Sequence, residues 1–258
     1  MGVLVAILSL AGGSVLGEEA KELRICADPD NLPFSNQRLE GFENKIAELI
    51  ASDLGATLTY YWWPHQRGLV RNTLRAEKCD VLIGIPKGFD LVLWTKPYYR
   101  TAYVVAYLKT KRFVIRSLDD PILKQVKIGV YFDTPPYGAL GERGLMENVV
   151  TYLPLYDYGG ADQTRRPGRL MEDLIVGTVD VAMVWGPIAG YFAKKLNATA
   201  LELVPLQNSG PIPMTFEISM GVRKDEKELK TRLEEALDRR KAEIRKILED
   251  YGVPLLPQ

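Results

Sequence analysis

The sequence predicts an α/β fold in which strands and helices alternate along the chain. Three observations carry that expectation. Between residues 23 and 85, short β-prone runs alternate with runs whose apolar residues recur every three or four positions. The alternation returns between residues 126 and 196, so the chain reads as two similar α/β halves with no exact sequence repeat. A long amphipathic stretch, residues 226–251, then closes the chain.

Residues 23–27, LRICA, form the first predicted strand. The stretch that leaves it, CADPDNLPFSN, holds two prolines, an aromatic and short polar side chains. It suits a turn and equally the lip of a binding site, with Asp28, Asn31, Phe34 and Asn36 as candidate lining residues. Asp28 and Asn31 also suit turn formation, because short Asp and Asn side chains bond their own backbone. Residues 42–54 predict a helix with Ile46, Leu49, Ile50 and Leu54 on one face, stopped by Gly55. Residues 57–63, rich in Thr, Tyr and Trp, predict a strand. Residues 68–77 place Leu69, Val70, Thr73 and Leu74 on one helical face, and residues 79–85 read as a buried strand of the parallel kind.

Residues 98–109 form one long β-rich run, and residues 126–131, VKIGVY, begin the second α/β unit. Residues 180–185, DVAMVW, repeat the polar start and apolar body of residues 80–85, and a helix over 187–196 follows. Residues 216–223 predict a further strand. In the closing helix, Leu229, Leu233, Leu237, Ile244, Ile247 and Leu248 stripe one side, and the helix ends at Gly252 with Pro254 behind it. Acids and bases alternate on its polar face, which favours a solvated helix over a membrane-surface one.

The chain has 258 residues, 47% of them apolar, enough for one large domain or two small ones. Lys plus Arg balances Asp plus Glu at 33 each, which leaves no basic footprint for nucleic acid and makes a monomer the default. Residues 1–17, an apolar run followed by small residues, read as a secretory signal peptide, with a buried first strand as the alternative. No other run is long enough for a transmembrane helix, so no membrane span is expected after cleavage. An exported chain with two cysteines, Cys26 and Cys79, permits one disulfide. Right-handed crossovers set the first and third strands side by side, which favours the bridge over two separate thiols. It would close a loop of about 50 residues, a stabilisation of roughly 4 kcal/mol.

The usual catalytic and cofactor signatures are missing. His65 is the single histidine, and no Cys/His cluster has zinc-ligand spacing. No phosphate-binding loop, dinucleotide fingerprint or nucleophile elbow is present. The sequence therefore calls for no cofactor, no metal and no catalytic residue. Arg165, Arg166 and Arg169 read as a solvated loop, and the sequon at Asn197 carries no weight.

Residues 23–250 resemble the bacterial solute-binding proteins of family 3. The likeness rests on the "PF" loop, GFENKIAELIASDLG, CDVLIG, TKPYYRTAYVV, KIGV, GTVDVAMVWGP and ISMGVRKDEKEL. It implies the periplasmic binding protein type II fold, two α/β lobes joined by two hinge strands, with ligand in the cleft between them. By that analogy lobe one covers 22–107 plus 213–258 and lobe two 110–208. A narrower likeness is to the quinoprotein-dehydrogenase-associated branch of the family. It is carried by LRICADPDNLPFSN, YYWWPHQRGLVRNTL and CDVLIGIPKGFD, and in outline by GVYFDTPP and VWGPIAGYFAKK. That branch implies a periplasmic, non-catalytic accessory of a PQQ-dependent methanol dehydrogenase, of the calcium or the lanthanide type, and of its cytochrome c. Contact residues expected on this reading are Phe34, Trp63, Arg67, Phe89, Tyr99, Arg100 and Trp185.

The departures from amino-acid binders are informative. Those proteins clamp the ligand carboxylate with an arginine shortly before "FS-x-PY"; here the region reads Lys87-Gly88-Phe89-Asp90. They place an acid five residues after the strand-leading aspartate; five after Asp180 stands Trp185. They cradle the anion on backbone N–H groups after a lobe-two threonine; here Thr134 precedes Pro135 and Pro136, and proline has no N–H. An α-amino acid would lose its paired charges, so it is not the expected ligand. Aromatics replace the clamps: Phe34, Trp62, Trp63, Phe89, Trp94, Tyr98 and Trp185 serve either as cleft wall or as core. Two rival readings follow from the family. One is a transporter's substrate-binding protein for a small, non-amino-acid ligand. The other is an enzyme resembling cyclohexadienyl dehydratase, which would need an arginine-lined pocket and a general acid.

Overall fold

The computed structural model describes residues 21–153, 168–196 and 200–257. The signal segment, Arg165, Arg166 and the Asn197 sequon lie outside the described residues. The first strand, β1 (Glu22–Ala27), leads through a small hairpin of β2 (Asp30–Asn31) and β3 (Ser35–Asn36) into α1 (Phe42–Asp53). Gly55, at φ 61°, releases the chain from α1 into β4 (Thr57–Trp62). A short helix, α2 (Leu69–Asn72), precedes β5 (Val81–Pro86), and β6 (Leu93–Trp94) leads to the long β7 (Tyr99–Leu108). The second unit runs β8 (Ile128–Tyr131), α3 (Pro135–Glu142), β9 (Val149–Tyr152), α4 (Arg169–Ile175), β10 (Val181–Trp185), α5 (Gly186–Lys195) and β11 (Leu201–Pro205). The chain returns through β12 (Thr215–Val222) and ends in α6 (Lys227–Arg239) and α7 (Lys241–Asp250).

One path of strands runs through both lobes in the order β4-β1-β5-β12-β7-β10-β8-β9. Two strands carry it across. Tyr99 to Ala102 of β7 pair with β12, whereas its residues from Val104 onward pair with β10 and β11. In β12, Thr215 to Ile218 pair with β7, and Ile218 to Gly221 pair with β5. These are the two hinge strands. Hydrophobic residues gather separately on either side. Phe42, Ile46, Ile50, Ile218, Leu233, Leu237 and Leu248 form the main core of lobe one. Leu123, Ile128, Leu140 and Met214 fill one face of the lobe-two sheet, and Leu170, Met171 and Leu174 the other.

Cys26 and Cys79 are joined, with Cα atoms 5.4 Å apart on chain ends that β1 and β5 bring together. Three expectations are corrected. The segment 68–77 holds only the single turn of α2. Gly68 enters it at φ 92°, and Thr73 leaves helical geometry while its hydroxyl donates to the Leu69 carbonyl at 2.7 Å. The strand 79–85 is of mixed pairing, parallel to β1 and antiparallel to β12. The segment 226–251 is two helices that break at Arg240 (φ −103°, ψ 15°). At this break Arg239 and Arg240 both donate to the carboxylate of Asp53 at the end of α1.

Candidate functional site

β4, β1 and β5 lie side by side with parallel β4–β1 and β1–β5 pairing, so their C-terminal ends share one edge of lobe one. Trp63 and His65 follow β4, Asp28 follows β1, and Gly84 ends the regular part of β5. The Asp28 carboxylate accepts from the His65 N–H at 2.6 Å and from the Asp30 N–H at 2.9 Å. Ser35 Oγ accepts from the Asp28 N–H at 3.1 Å and donates to its carbonyl at 2.9 Å. Asn36 is buried and spends its amide locally: Nδ2 donates to Glu40 at 2.8 Å and Oδ1 accepts from the Glu40 N–H at 2.9 Å. Asn31 pairs with Ser35 across the hairpin and its carbonyl accepts from the Phe34 N–H at 2.8 Å. The opening stretch is thus a braced loop. Phe34, half-buried, sets its ring edge-on to Phe42 at 5.3 Å.

Behind that loop stands a carboxyl that sequence reasoning passed over. Glu43, in the first turn of α1, is 6% exposed. Gly84, at φ 77°, leaves the space its carboxyl occupies; a Cβ there would collide with Glu43 Oε1. The β5–β12 register slips by one residue at this point, which is a bulge, a device that re-aims the chain beside functional sites. Burial, and then the nearby charge of Asp28, push the Glu43 carboxyl well above its ordinary value. Burial holds His65 below its usual value against the pull of Asp28, keeping the ring neutral near pH 7. Tyr98 and Tyr99 are pushed up by burial, with Glu43 adding to both. Trp63 Nε1, His65 Nε2, Tyr98 OH and Asn44 Nδ2 are buried polar atoms with no hydrogen-bond partner among the described residues. Ser219 Oγ on β12 is a fifth such atom in lobe one, and buried polar groups are nearly always paired, so the five mark the region for function. The available signals were the lone histidine and the Glu within GFENKIAELIASDLG.

The other expected residues scatter. Tyr99, 3% exposed, lies in the lobe-one core, edge-on to Phe42 at 6.4 Å, and supports the edge from behind. Phe89 packs on the cluster around the disulfide, with Val70, Leu74 and Val92. Arg67 is exposed. Trp63 stacks along β4 on Tyr61 at 6.5 Å. Arg100 projects from the hinge into an open groove of about 430 Å³ with Lys87, Thr215, Phe216 and Glu217. Lys87 pairs with Glu217 at 2.8 Å, while among the described residues Arg100 reaches the Pro257 carbonyl at 3.3 Å and Thr215 Oγ1 at 3.4 Å. Thr134 stands at the N-cap of α3, but its hydroxyl donates to the Tyr131 carbonyl at 2.7 Å and Pro135 follows, so it presents no anion cradle. Beside it Phe132 is exposed and meets Tyr137 edge-on at 5.2 Å, a pair the sequence reading missed.

Trp185 stands between the lobes. Its ring lies 4.9 Å from Tyr103 and 5.5 Å from Phe216, one on each hinge strand, and it packs against the lobe-one core. An aromatic surface therefore fills the junction of the two hinge strands. Among the described residues no group of three or more His, Cys, Asp or Glu is placed to hold a metal ion, and no helix is long and apolar enough to cross a membrane.

Comparison with known proteins agrees with this architecture. Residues 23–254 match the model of the bacterial extracellular solute-binding proteins, family 3. The chain is 32% identical over 255 residues to protein MoxJ of Methylorubrum extorquens, covering 93% of this chain and 83% of that protein. Among solved structures it is similar to the periplasmic binding protein XoxJ from Methylobacterium extorquens AM1, at 40% identity and a TM-score of 0.76, covering 92% of this chain and 100% of that one. It is also similar to MxaJ from Methlophaga aminisulfidivorans MPT, at 28% identity and a TM-score of 0.78, covering 91% and 100%. The fold is that of a type II periplasmic binding protein.

Proposed function

The chain belongs to the bacterial extracellular solute-binding proteins of family 3, and from that premise we propose that it is a periplasmic accessory of a PQQ-dependent methanol dehydrogenase that acts by binding rather than by catalysis. The likeness to MoxJ, XoxJ and MxaJ over nearly the whole chain supports the assignment to that system. The observation that carries the reading is Trp185, wedged against Tyr103 and Phe216 where an amino-acid binder needs a charge. A wall of aromatic rings with donors behind it suits a protein segment better than a zwitterion, because Trp and Tyr dominate protein contacts and an ammonium would be desolvated unpaired. On this reading Phe34, Trp63, Arg100 and Trp185 contact the dehydrogenase or its cytochrome c partner. Asp28, Asn36 and Tyr99 hold the edge in place. The lobes keep the bounds of about 22–107 plus 213–258 and 110–208, with the hinge strands crossing between them, so that β7 beyond Val104 and Met214 at the start of the return strand pack into lobe two.

The test is retention of the partner. Residues 18–258 are immobilised and exposed to periplasmic extract of cells grown on methanol. The dehydrogenase is expected to be retained. Trp185→Ala should weaken that retention by about 2 kcal/mol, roughly thirtyfold in affinity. No retained protein, together with a small molecule released from the chain on denaturation, would sink the accessory reading and favour a transport receptor.

A further inference from the structure

Helix α5 of lobe two carries Gly186, Gly190 and Lys194, spaced by four, so all three lie on one face of the helix. That face is covered by the end of the chain, which belongs to lobe one. A Cβ at Gly190 would collide with the Gly252 carbonyl, and one at Gly252, itself at φ 76°, would come within 2.7 Å of the Gly190 carbonyl. A Cβ at Gly186 would meet the Ala102 carbonyl and approach Pro254 to 3.4 Å. Only glycine lets the two backbones meet this closely.

Side chains fasten the same contact. Lys194 Nζ donates to the Glu249 carbonyl at 2.7 Å and to the Asp250 carbonyl at 3.1 Å, a cation on the C-terminal end of α7. Tyr191 of α5 stacks on Tyr251 with ring centroids 6.0 Å apart and planes at 16°. Tyr251 OH donates to the Glu40 carbonyl at 2.6 Å, which joins the contact to the braced loop. The tail then grips a hinge strand: Thr101 Oγ1 donates to the Pro254 carbonyl at 2.7 Å, and the Leu256 N–H donates to the Arg100 carbonyl at 2.9 Å.

We propose that residues 251–257 are a strap that holds the two lobes at one fixed angle, so that this protein offers its partner a preformed surface and does not open and close on a ligand. Bending at the hinge moves α5 relative to α7. That motion would separate the glycine backbones, withdraw Lys194 from two helix-end carbonyls and break the tyrosine stack together. A surface already ordered loses less conformational freedom on binding, which suits recognition of a protein. The inference rests on the accessory reading only for its purpose; the strap is read from the contacts themselves.

Spin labels report the angle directly. A keto amino acid replaces the exposed Glu48 in α1 and Glu142 in α3, the pair is labelled, and the distance distribution is measured by double electron–electron resonance on the oxidised protein. The parent protein is expected to give one narrow peak. Lys194→Met and, separately, deletion of residues 254–258 should each add a second population at another distance. Gly190→Ala is a harsher variant, and unchanged circular dichroism is required before its distances are read. A broad or two-peaked distribution in the parent, or Lys194→Met and the deletion both matching the parent, would overturn the strap. Partner retention is measured on the same samples. Mobile lobes with retention intact would sink the strap alone, and a fixed angle with no retained protein would sink the accessory reading alone.

Discussion

Asp80 and Asp180 begin equivalent strands in the two lobes, and the two strands are built alike at one end and differently at the other. In lobe one the Asp80 N–H donates to the Arg24 carbonyl at 2.7 Å while the Asp80 carboxylate accepts from the Arg24 N–H at 3.2 Å. In lobe two the Asp180 N–H donates to the Lys127 carbonyl at 2.9 Å and the carboxylate accepts from the Lys127 N–H at 3.1 Å. The same side chain clamps the neighbouring strand in each. The far ends diverge: lobe one reaches Gly84 and makes room for a buried acid, whereas lobe two reaches Val184 and Trp185 and fills the space with a ring. The framework is repeated and the cleft edge is not, which places functional difference at the C-terminal ends of the strands.

The lobes also differ in how strongly the shared clamp is reinforced. Opening the disulfide with Cys26→Ser and Cys79→Ser should have the largest effect. A cross-link spanning 53 residues restricts the unfolded chain by about 4 kcal/mol. Denaturant melts of the double variant should show that loss, and a loss under about 1 kcal/mol would mean the unfolded chain is not restrained by the bridge. Gly84→Ala comes next, at about 2–3 kcal/mol, because the residue must hold φ 77° with the Glu43 carboxyl against it. Val184→Ala, at the matching place in lobe two, tests whether only one edge depends on glycine.

The two aspartates sharpen the comparison. Asp80 also takes the Arg24 guanidinium at 2.6 Å and that of Arg223 at 2.9 Å, and is largely covered. Burial pushes its carboxyl up, but the hydrogen bonds from Arg24 and Arg223 outweigh that and hold it below the usual range. Asp180 takes one more exposed lysine, Lys111, at 2.8 Å. Asp80→Asn should therefore cost about 2–3 kcal/mol, and Asp180→Asn about 1 kcal/mol. Equal losses in urea melts would refute the difference in reinforcement.

The smallest effect is one of slope. The Glu43 carboxyl is held above its unfolded value, so the folded state keeps a proton that the unfolded chain releases above about pH 4.3. Its contribution is fully present below that pH and is lost as pH rises toward the folded value. Glu43→Gln removes the proton exchange. The stability of the variant relative to the parent should rise as pH climbs above about 4.3, and a flat difference would show that folding leaves the Glu43 carboxyl unshifted.

The strands were legible because their signals are local. Residues 57–63 and 98–109 show their β-character in composition, and α1 shows its face in Ile46, Leu49 and Ile50. The break at Arg240 was not legible, because the apolar stripe runs through it and the Asp53 carboxylate that Arg239 and Arg240 share there lies far away in the chain. Among the candidate site residues, Trp185 could be singled out because a position defined by spacing from Asp180 held the wrong chemistry for an amino acid. Asn36 and Tyr99 could not be told from lining residues, because nothing in a polar or aromatic letter says whether Glu40 or Phe42 already satisfies it.

By itself the sequence determined the alternation of strands and helices, the closeness of Cys26 and Cys79, and the presence of Trp185 five residues after Asp180 and of two prolines after Thr134. Each follows from periodicity, from handed crossovers or from the chemistry of a single position. Only the tertiary structure decided that Gly84 shelters the Glu43 carboxyl, that five buried polar atoms of lobe one have no hydrogen-bond partner among the described residues, and that the end of the chain packs its glycine against a glycine of α5. Those outcomes depend on which distant group arrives within hydrogen-bond or van der Waals distance. Covalent order sets what a residue can do, and the packing of remote segments sets whether that capacity is already spent.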